Sequence, residues 1–108
     1  MYYHNPSERE TMELAPGINA RTFWGEKMLV SVVELEPDML LPEHSHPHEQ
    51  VGTILAGSAE FTIGGETRTL RVGEVFIVPG GVPHSAVTGP AGAKVMDVFS
   101  PVREDLKY

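Results

Sequence analysis

Cysteine is absent from this sequence of 108 residues. Disulfide bonds, thiolate metal sites and cysteine nucleophiles are therefore excluded. Long apolar runs are absent too: no stretch approaches the roughly 20 residues that a membrane-spanning helix needs. The opening segment MYYHNPSERE is also too polar for a secretory signal peptide. We therefore expect a cytoplasmic protein that does not contact a membrane.

Positive charge is scarce in the chain. Eight Lys and Arg residues stand against 15 Asp and Glu residues, which gives a formal net charge of −7. Sequence-independent binding to nucleic acid or to anionic lipid requires a basic surface, so we expect neither as a partner. A small anionic ligand remains compatible, because one buried arginine can outweigh a distant negative field.

Long amphipathic helices are missing as well. Instead, 11 Gly and 9 Pro residues separate short runs of β-forming residues, a pattern typical of an all-β sandwich or barrel. We expect a single domain over residues 1–108, with a hairpin turn at Gly64–Gly65 and a short turn at residues 7–14, where Ser7 and Glu10 have capping-box spacing. The predicted strands are Arg21–Trp24, Met28–Glu36, Gln50–Ala56, Ala59–Ile63, Glu66–Val72, Glu74–Val78, His84–Val87 and Lys94–Phe99.

Three of the five histidines lie within five residues, in the segment PEHSHPHEQ. His44 and His46 are two residues apart, so on an extended chain they point to the same side, and Gln50 has the same parity. His84 follows a Pro/Gly-rich connector far away in the sequence. Together these four side chains could surround a divalent cation and leave one or two positions open. For His48 an outward or supporting role is expected.

The spacing around these histidines follows two longer patterns. Gly-x5-His-x-His-x3–4-Glu-x6-Gly is represented by Asp38, His44, His46, Gln50 and Gly57, and Gly-x5-Pro-x-Gly-x2-His-x3-Asn by Gly73, Pro79, Gly81, His84 and Thr88. The two patterns resemble the double motif of the cupins, with motif 1 at about residues 38–57 and motif 2 at about 73–88. The resemblance implies a jelly-roll barrel, also called a double-stranded β-helix, that binds a metal.

Gln50 stands where the motif has an acidic ligand. A neutral amide leaves the cation its full charge toward an incoming oxygen, which favours Lewis-acid chemistry. The loss of a negative ligand disfavours high-valent iron and therefore oxygenase chemistry. We expect one divalent transition metal, either Ni, Zn, Mn, Fe or Co, because imidazole and amide ligands accept all of these ions.

The last predicted strand offers a second group of candidate residues. Asp97 and Phe99 share one face, whereas Met96 and Val98 share the other, and only one face can point into a barrel. An inward Asp97 would place a carboxyl group beside the metal; the alternative is an Asp97 that faces water. Arg103 could fold back over the barrel mouth and bind a carboxylate, or it could pair with the acidic residues that follow it.

The glutamine-bearing segment HSHPHEQ and the closing pattern D-x-F-S-P-x-R-x-D resemble the KdgF-type small cupins of uronate catabolism. The resemblance implies His44, His46, Gln50 and His84 as metal ligands and Asp97, Phe99 and Arg103 as catalytic and binding residues. It also implies conversion of 4,5-unsaturated uronates, small anionic sugar acids released from pectin or alginate, into the linear keto form. Either Asp97 or Glu49 could transfer the proton.

Two other functions use the same predicted metal site. One is a cupin oxygenase, or a cyclase or isomerase acting on a polyketide. The other is a ligand-binding cupin without catalysis. Independently of the function, a homodimer is expected, because small barrels with open sheet edges commonly cover them by association and because the family resemblance points the same way.

Overall fold

The computed structural model describes residues 1–108, and most of them lie in eight antiparallel strands. Two 3₁₀ turns, Pro6–Glu8 and Glu104–Leu106, are the helical elements, so no helix is long enough to cross a membrane. The strands are β1 (Met12–Ala15), β2 (Ile18–Trp24), β3 (Leu29–Leu35), β4 (Leu40–His44), β5 (Glu49–Ile63), β6 (Glu66–Arg71), β7 (Val75–Val78) and β8 (His84–Ser100). The predicted all-β architecture is confirmed.

The strands form two sheets that share the long strands β5 and β8. The last part of β8 pairs with β3 and with the first part of β5, and β1, β2 and β7 extend this sheet. The first part of β8 pairs with β4 and with the last part of β5, and β6 completes the second sheet. The inner faces of the two sheets enclose the core and a cavity.

The prediction that β5 and β8 would each be two separate strands was wrong. Gly57 and Gly92 have positive φ angles of 72° and 73°, and the ladder between the strands shifts register near Gly57. A Cβ at Gly57 would lie 2.0 Å from the carbonyl oxygen of Gly92, so the two bends touch. These glycines bend both strands without ending them, because each strand keeps pairing partners on both sides of the bend.

Two other sequence predictions, for residues 7–14 and for Gly64–Gly65, can be compared with the structure. Residues 7–14 do not form a turn with a Ser7–Glu10 capping box; Asn5 caps the 3₁₀ turn, and the chain continues into β1. Strand β4 was not predicted. The hairpin turn at Gly64–Gly65 is confirmed, with φ angles of 55° and 83°.

The C-terminal segment closes one end of the sandwich. Phe99, Val102 and Leu106 are buried against Leu29 in a small apolar cluster. Thr22 Oγ1 on β2 donates a hydrogen bond of 2.6 Å to the carbonyl oxygen of Leu106. The chain beyond β8 is therefore packed against the barrel rather than free, and this packing places Arg103, Asp105 and Leu106 at the cavity.

Candidate metal centre and cavity

A cavity of about 350 Å³ opens between the two sheets. Its volume lies in the range of small-molecule sites. Apolar side chains form much of the lining, and a small polar group lies among them: His44, Gln50, His84, Asp97 and Arg103. The structure therefore brings most of the predicted site residues to one cavity.

The histidines reach this site from three segments. His44 is the last residue of β4 and pairs directly with His84, the first residue of β8. His46 lies in the connection between β4 and β5, so the expectation that His44 and His46 share one strand was wrong. The backbone N–H of Gly81 donates a 2.8 Å hydrogen bond to the carbonyl oxygen of His46, which holds this connection against the Pro/Gly segment.

The three imidazoles are arranged to present nitrogen lone pairs to a common point. One ligand atom from each of His44, His46 and His84 lies within 4.8 Å of the others. Each Nδ1 lies 2.9–3.0 Å from a backbone carbonyl oxygen, which assigns the proton to Nδ1 and leaves Nε2 as the acceptor. Nε2 of His84 is buried and has no hydrogen-bond partner. This donor set suits a divalent cation.

Gln50 completes the set from β5. Its Nε2 donates a 3.0 Å hydrogen bond to Oδ1 of Asp97, which fixes the orientation of the amide. Its Oε1 is then directed at Nε2 of His46, at 3.2 Å. With the proton of His46 on Nδ1, both of these atoms are acceptors, and a cation between them removes the mismatch.

Burial favours the neutral form of two of the histidines, His46 and His84. The pKa values of His46 and His84 are lowered, chiefly because burial disfavours the charged imidazolium. The positive charge of Arg103 contributes in the same direction at both residues. Because a metal binds the neutral imidazole, the site is ready to accept a cation near neutral pH.

Asp97 points into the cavity and is 7% exposed. Burial raises its pKa to about 6, although the hydrogen bond from Gln50 and the charge of Arg103 oppose the shift. Gly52, its partner on β5, leaves the space that the carboxyl group occupies: a Cβ there would lie 2.5 Å from Oδ1 of Asp97. A carboxyl group with this pKa can exchange protons near neutral pH.

Phe99 and Arg103 lie next to Asp97 at the C-terminal side of the cavity. The Phe99 ring is buried, and its centroid lies 5.7 Å from that of His46 and 5.0 Å from the guanidinium carbon of Arg103. Arg103 Nε and Nη2 also pair with the Asp105 carboxylate at 3.3 and 2.8 Å. Arg103 therefore pairs with an acidic residue that follows it and also lines the cavity, while its binding of a ligand carboxylate stays a prediction.

The two remaining polar candidates lie outside the cavity lining. Glu49 is exposed and pairs with Ser100, on the side of β5 opposite Gln50. His48 contributes its carbonyl oxygen as the acceptor for Nδ1 of His46, at 3.0 Å. His48 thus contacts His46 through its backbone, and of the two acidic candidates only Asp97 lines the cavity.

Among the apolar residues at the cavity, Phe61 lines it and stacks on Phe76. Ile54 belongs to the core cluster below it. The sequence analysis did not single out Ser31, which also lines the cavity. The available signal was a lone hydroxyl in the apolar run of β3.

Comparison with known proteins supports this assignment. The family described as "Cupin domain" matches residues 31–99. The pectin degradation protein KdgF of Dickeya dadantii is 30% identical over 105 residues, which cover 95% of this chain and 96% of that protein. The structure of KdgF from Halomonas sp. has a TM-score of 0.93 at 27% identity and covers 99% of both chains.

A more distant match comes from a structure of Bacillus subtilis oxalate decarboxylase described with Mn(II) centres. It has a TM-score of 0.78 at 25% identity and covers 91% of this chain and 29% of that one. The matches confirm the predicted jelly-roll class, and a divalent metal agrees with the three convergent histidines. The chain belongs to the cupin family, among the small cupins of the KdgF type.

Proposed function

We propose that this protein is a metal-dependent enzyme that converts 4,5-unsaturated uronates from pectin or alginate breakdown into linear keto-deoxyuronates. The observation that carries the proposal is a buried carboxyl group, Asp97, that lines the same cavity as Arg103 and two members, His44 and His84, of the cluster of three convergent histidines. The similarity to KdgF, a pectin degradation protein, supports the substrate class.

His44, His46, Gln50 and His84 would hold the metal. When bound, a divalent cation supplies Lewis acidity toward substrate oxygens. Gln50 has a second task, because its Nε2 hydrogen bond keeps the Asp97 carboxyl group at the edge of the metal site. The amide therefore links the metal ligands to the group that moves the proton.

Asp97 would act as the general acid and then as the general base. In its neutral form it gives a proton to C4 of the enol ether, while a water oxygen bonds to C5. The resulting carboxylate takes the proton that this water loses. Cleavage of the C5–ring oxygen bond of the hemiketal moves the proton of the C5 hydroxyl group to the departing ring oxygen, which leaves a ketone at C5 and a hydrated aldehyde at C1. Loss of one water molecule from this hydrate gives the free aldehyde. Such proton transfer contributes about 10²–10⁴-fold to the rate.

Arg103 would bind the substrate carboxylate. Its side chain is only about one-fifth exposed and lies over the Phe99 ring, while Asp105 holds its Nε and Nη2 edge. Nη1 remains free to bind an anion. This local positive charge explains how a protein with a net charge of −7 could attract an anionic sugar acid.

The test is a time course with unsaturated galacturonate, following the ultraviolet absorbance of the enol ether and proton NMR of the product. Wild-type protein loaded with metal should accelerate the loss of the enol ether above the protein-free rate, and a chelator should abolish the acceleration. Asp97→Asn should lower kcat by about 10²–10⁴-fold. Glu49→Gln is the matched control, because it removes an exposed carboxylate next to Gln50, and it should retain wild-type kcat.

Absence of acceleration by the metal-loaded protein would refute the uronate assignment. The same assay under anaerobic conditions separates the oxygenase alternative, because uronate ring opening consumes no oxygen. Equal activity with and without oxygen supports the proposal. Activity of Asp97→Asn equal to wild type would refute the role of this residue.

We also propose a homodimer that forms through the outer face of the sheet that contains β7 and the first part of β5. Val51 on β5 pairs with Ile77 on β7, and they are 38% and 58% exposed. Val75 adds a further apolar side chain that is 59% exposed. Sedimentation of wild type and of Ile77→Glu tests the proposal: the wild type should sediment as a dimer and the variant as a monomer.

A further inference from the structure

One buried hydroxyl group at the cavity has no partner. Ser31 is 1% exposed, and its Oγ makes no hydrogen bond within the protein. The residue lies on β3 directly opposite Asp97 on β8, and it lines the cavity. Because most buried polar groups in proteins are hydrogen-bonded, an unpaired hydroxyl in a strand interior requires an explanation.

Two other buried hydroxyl groups of the sandwich stabilise the fold. Thr22 Oγ1 donates to the carbonyl oxygen of Leu106 at 2.6 Å, and Thr88 Oγ1 donates to that of Glu36 at 2.7 Å. Ser31 differs from both, since its hydroxyl group stabilises no element. It resembles Nε2 of His84, another buried unpaired atom, whose partner would be the metal.

The position of Ser31 within its strand is equally unusual. The inward-facing residues of β3 are otherwise apolar: Leu29 and Val33 are buried, and Leu35 packs against the core. A valine or alanine would satisfy the pattern of this strand without burying a polar group. The single hydroxyl group occurs at the position next to the buried carboxyl group of Asp97.

We propose that Ser31 is a substrate-binding residue, whose hydroxyl group hydrogen-bonds an oxygen of the sugar ring while the substrate lies against Asp97. This inference rests on the proposed function. The bound sugar would provide the partner that the folded chain lacks. A site that hydrogen-bonds a hydroxyl group of its ligand discriminates strongly against ligands that lack it, so Ser31 would also contribute to specificity for sugar acids.

The test compares Ser31→Ala with wild type in metal content, melting temperature, KM and kcat for unsaturated galacturonate. We expect full metal content and an unchanged or higher Tm, because alanine removes an unpaired buried polar atom. We expect kcat/KM to fall about 5- to 50-fold, since the bound sugar loses one hydrogen bond. Thr88→Val is the control: it loses two hydrogen bonds outside the cavity, one donated to the carbonyl oxygen of Glu36 and one accepted from the backbone N–H of Met39, so its Tm should fall while kcat/KM is retained.

The outcomes separate this inference from the function on which it rests. If wild-type protein opens the substrate and Ser31→Ala matches its kcat/KM, the inference is wrong and the proposed function stands. A Tm for Ser31→Ala more than about 5 °C below wild type would also overturn it, because the hydroxyl group would then stabilise the fold. If wild-type protein does not act on the substrate, both proposals are overturned.

Discussion

Gly52 provides a sharp test of how the Asp97 carboxyl group is positioned. Its backbone does not need glycine, since its φ is not positive, but its missing side chain leaves room for other groups. A Cβ at this position would lie 2.5 Å from Oδ1 of Asp97 and 2.3 Å from Cζ of Phe76, where ordinary contacts begin at 3.4 Å. In Gly52→Ala both side chains must therefore retreat by roughly 1 Å.

The two displacements have different consequences. Movement of the Asp97 carboxyl group weakens the 3.0 Å hydrogen bond from Gln50 and misplaces the proton, and an error of about 1 Å in a reacting group can lower the rate by about 10²-fold. Movement of Phe76 overpacks the core at a cost of about 1–3 kcal/mol. We expect kcat for unsaturated galacturonate to fall about 10²-fold, with metal content retained and a Tm lowered by roughly 5–15 °C.

A second variant separates activity from stability. Phe76→Leu removes Cζ, so in Gly52→Ala/Phe76→Leu the contact with the ring is relieved while the contact with Asp97 remains. The double variant should have the same Tm as Phe76→Leu alone, whereas its kcat should stay below that of Phe76→Leu. Gly25→Ala is the control, because a Cβ there meets nothing within 4 Å. If Gly52→Ala retains wild-type kcat, the reasoning about the carboxyl position is refuted.

Three further predictions concern the ligands, the anion site and pH. His84→Ala should lose bound metal and the metal-dependent increase in Tm, measured by elemental analysis and thermal unfolding; full metal content would contradict the ligand assignment. Arg103→Lys should raise KM about 10-fold, since it loses the planar fork, whereas Glu104→Gln on the same turn should not change KM. In metal-free protein, burial holds the pKa of Asp97 at about 6 rather than 3.8, so the folded state binds this proton more tightly and stability is lost as pH rises from about 4 through 6. Relative to wild type, the free energy of unfolding of Asp97→Asn, measured by urea unfolding, should therefore rise by up to about 3 kcal/mol between pH 4 and 7. If the free energies of the two proteins change in parallel with pH, the prediction is wrong.

The sequence was most informative where the spacing of residues carries the structure. The motif positions of His44, His46, Gln50 and His84 predict one cluster, and the structure brings these side chains together. It does so through a cross-strand pair of His44 with His84 and a connecting loop, which spacing alone cannot distinguish from a single strand. Similar ligand positions can therefore arise from different local backbones.

Local sequence failed where sheet pairing decides the backbone. Gly57 and Gly92 lie in the gaps between predicted strands, yet β5 and β8 continue through them because neighbouring strands supply hydrogen-bond partners on both sides. Met12–Ala15 has weak strand propensity and becomes a strand by pairing with β2. Gly52 and Ser31 were missed because their importance lies in what faces them across the sheet, and the sequence does not give this register.

Gln50 and Asp97 are best understood as one unit. The Gln50 amide can offer an oxygen to the metal and a donor to Asp97 at the same time, because its two ends are chemically different. A glutamate at this position would place a second carboxylate about 3.0 Å from Oδ1 of Asp97, and two such groups cannot both be ionised at low cost. They would share one proton, so the titration of Asp97 would no longer be independent of the residue at position 50. The exchange of an acidic ligand for an amide therefore changes more than the charge at the metal: it allows this barrel to keep a separate, titratable acid beside the metal site.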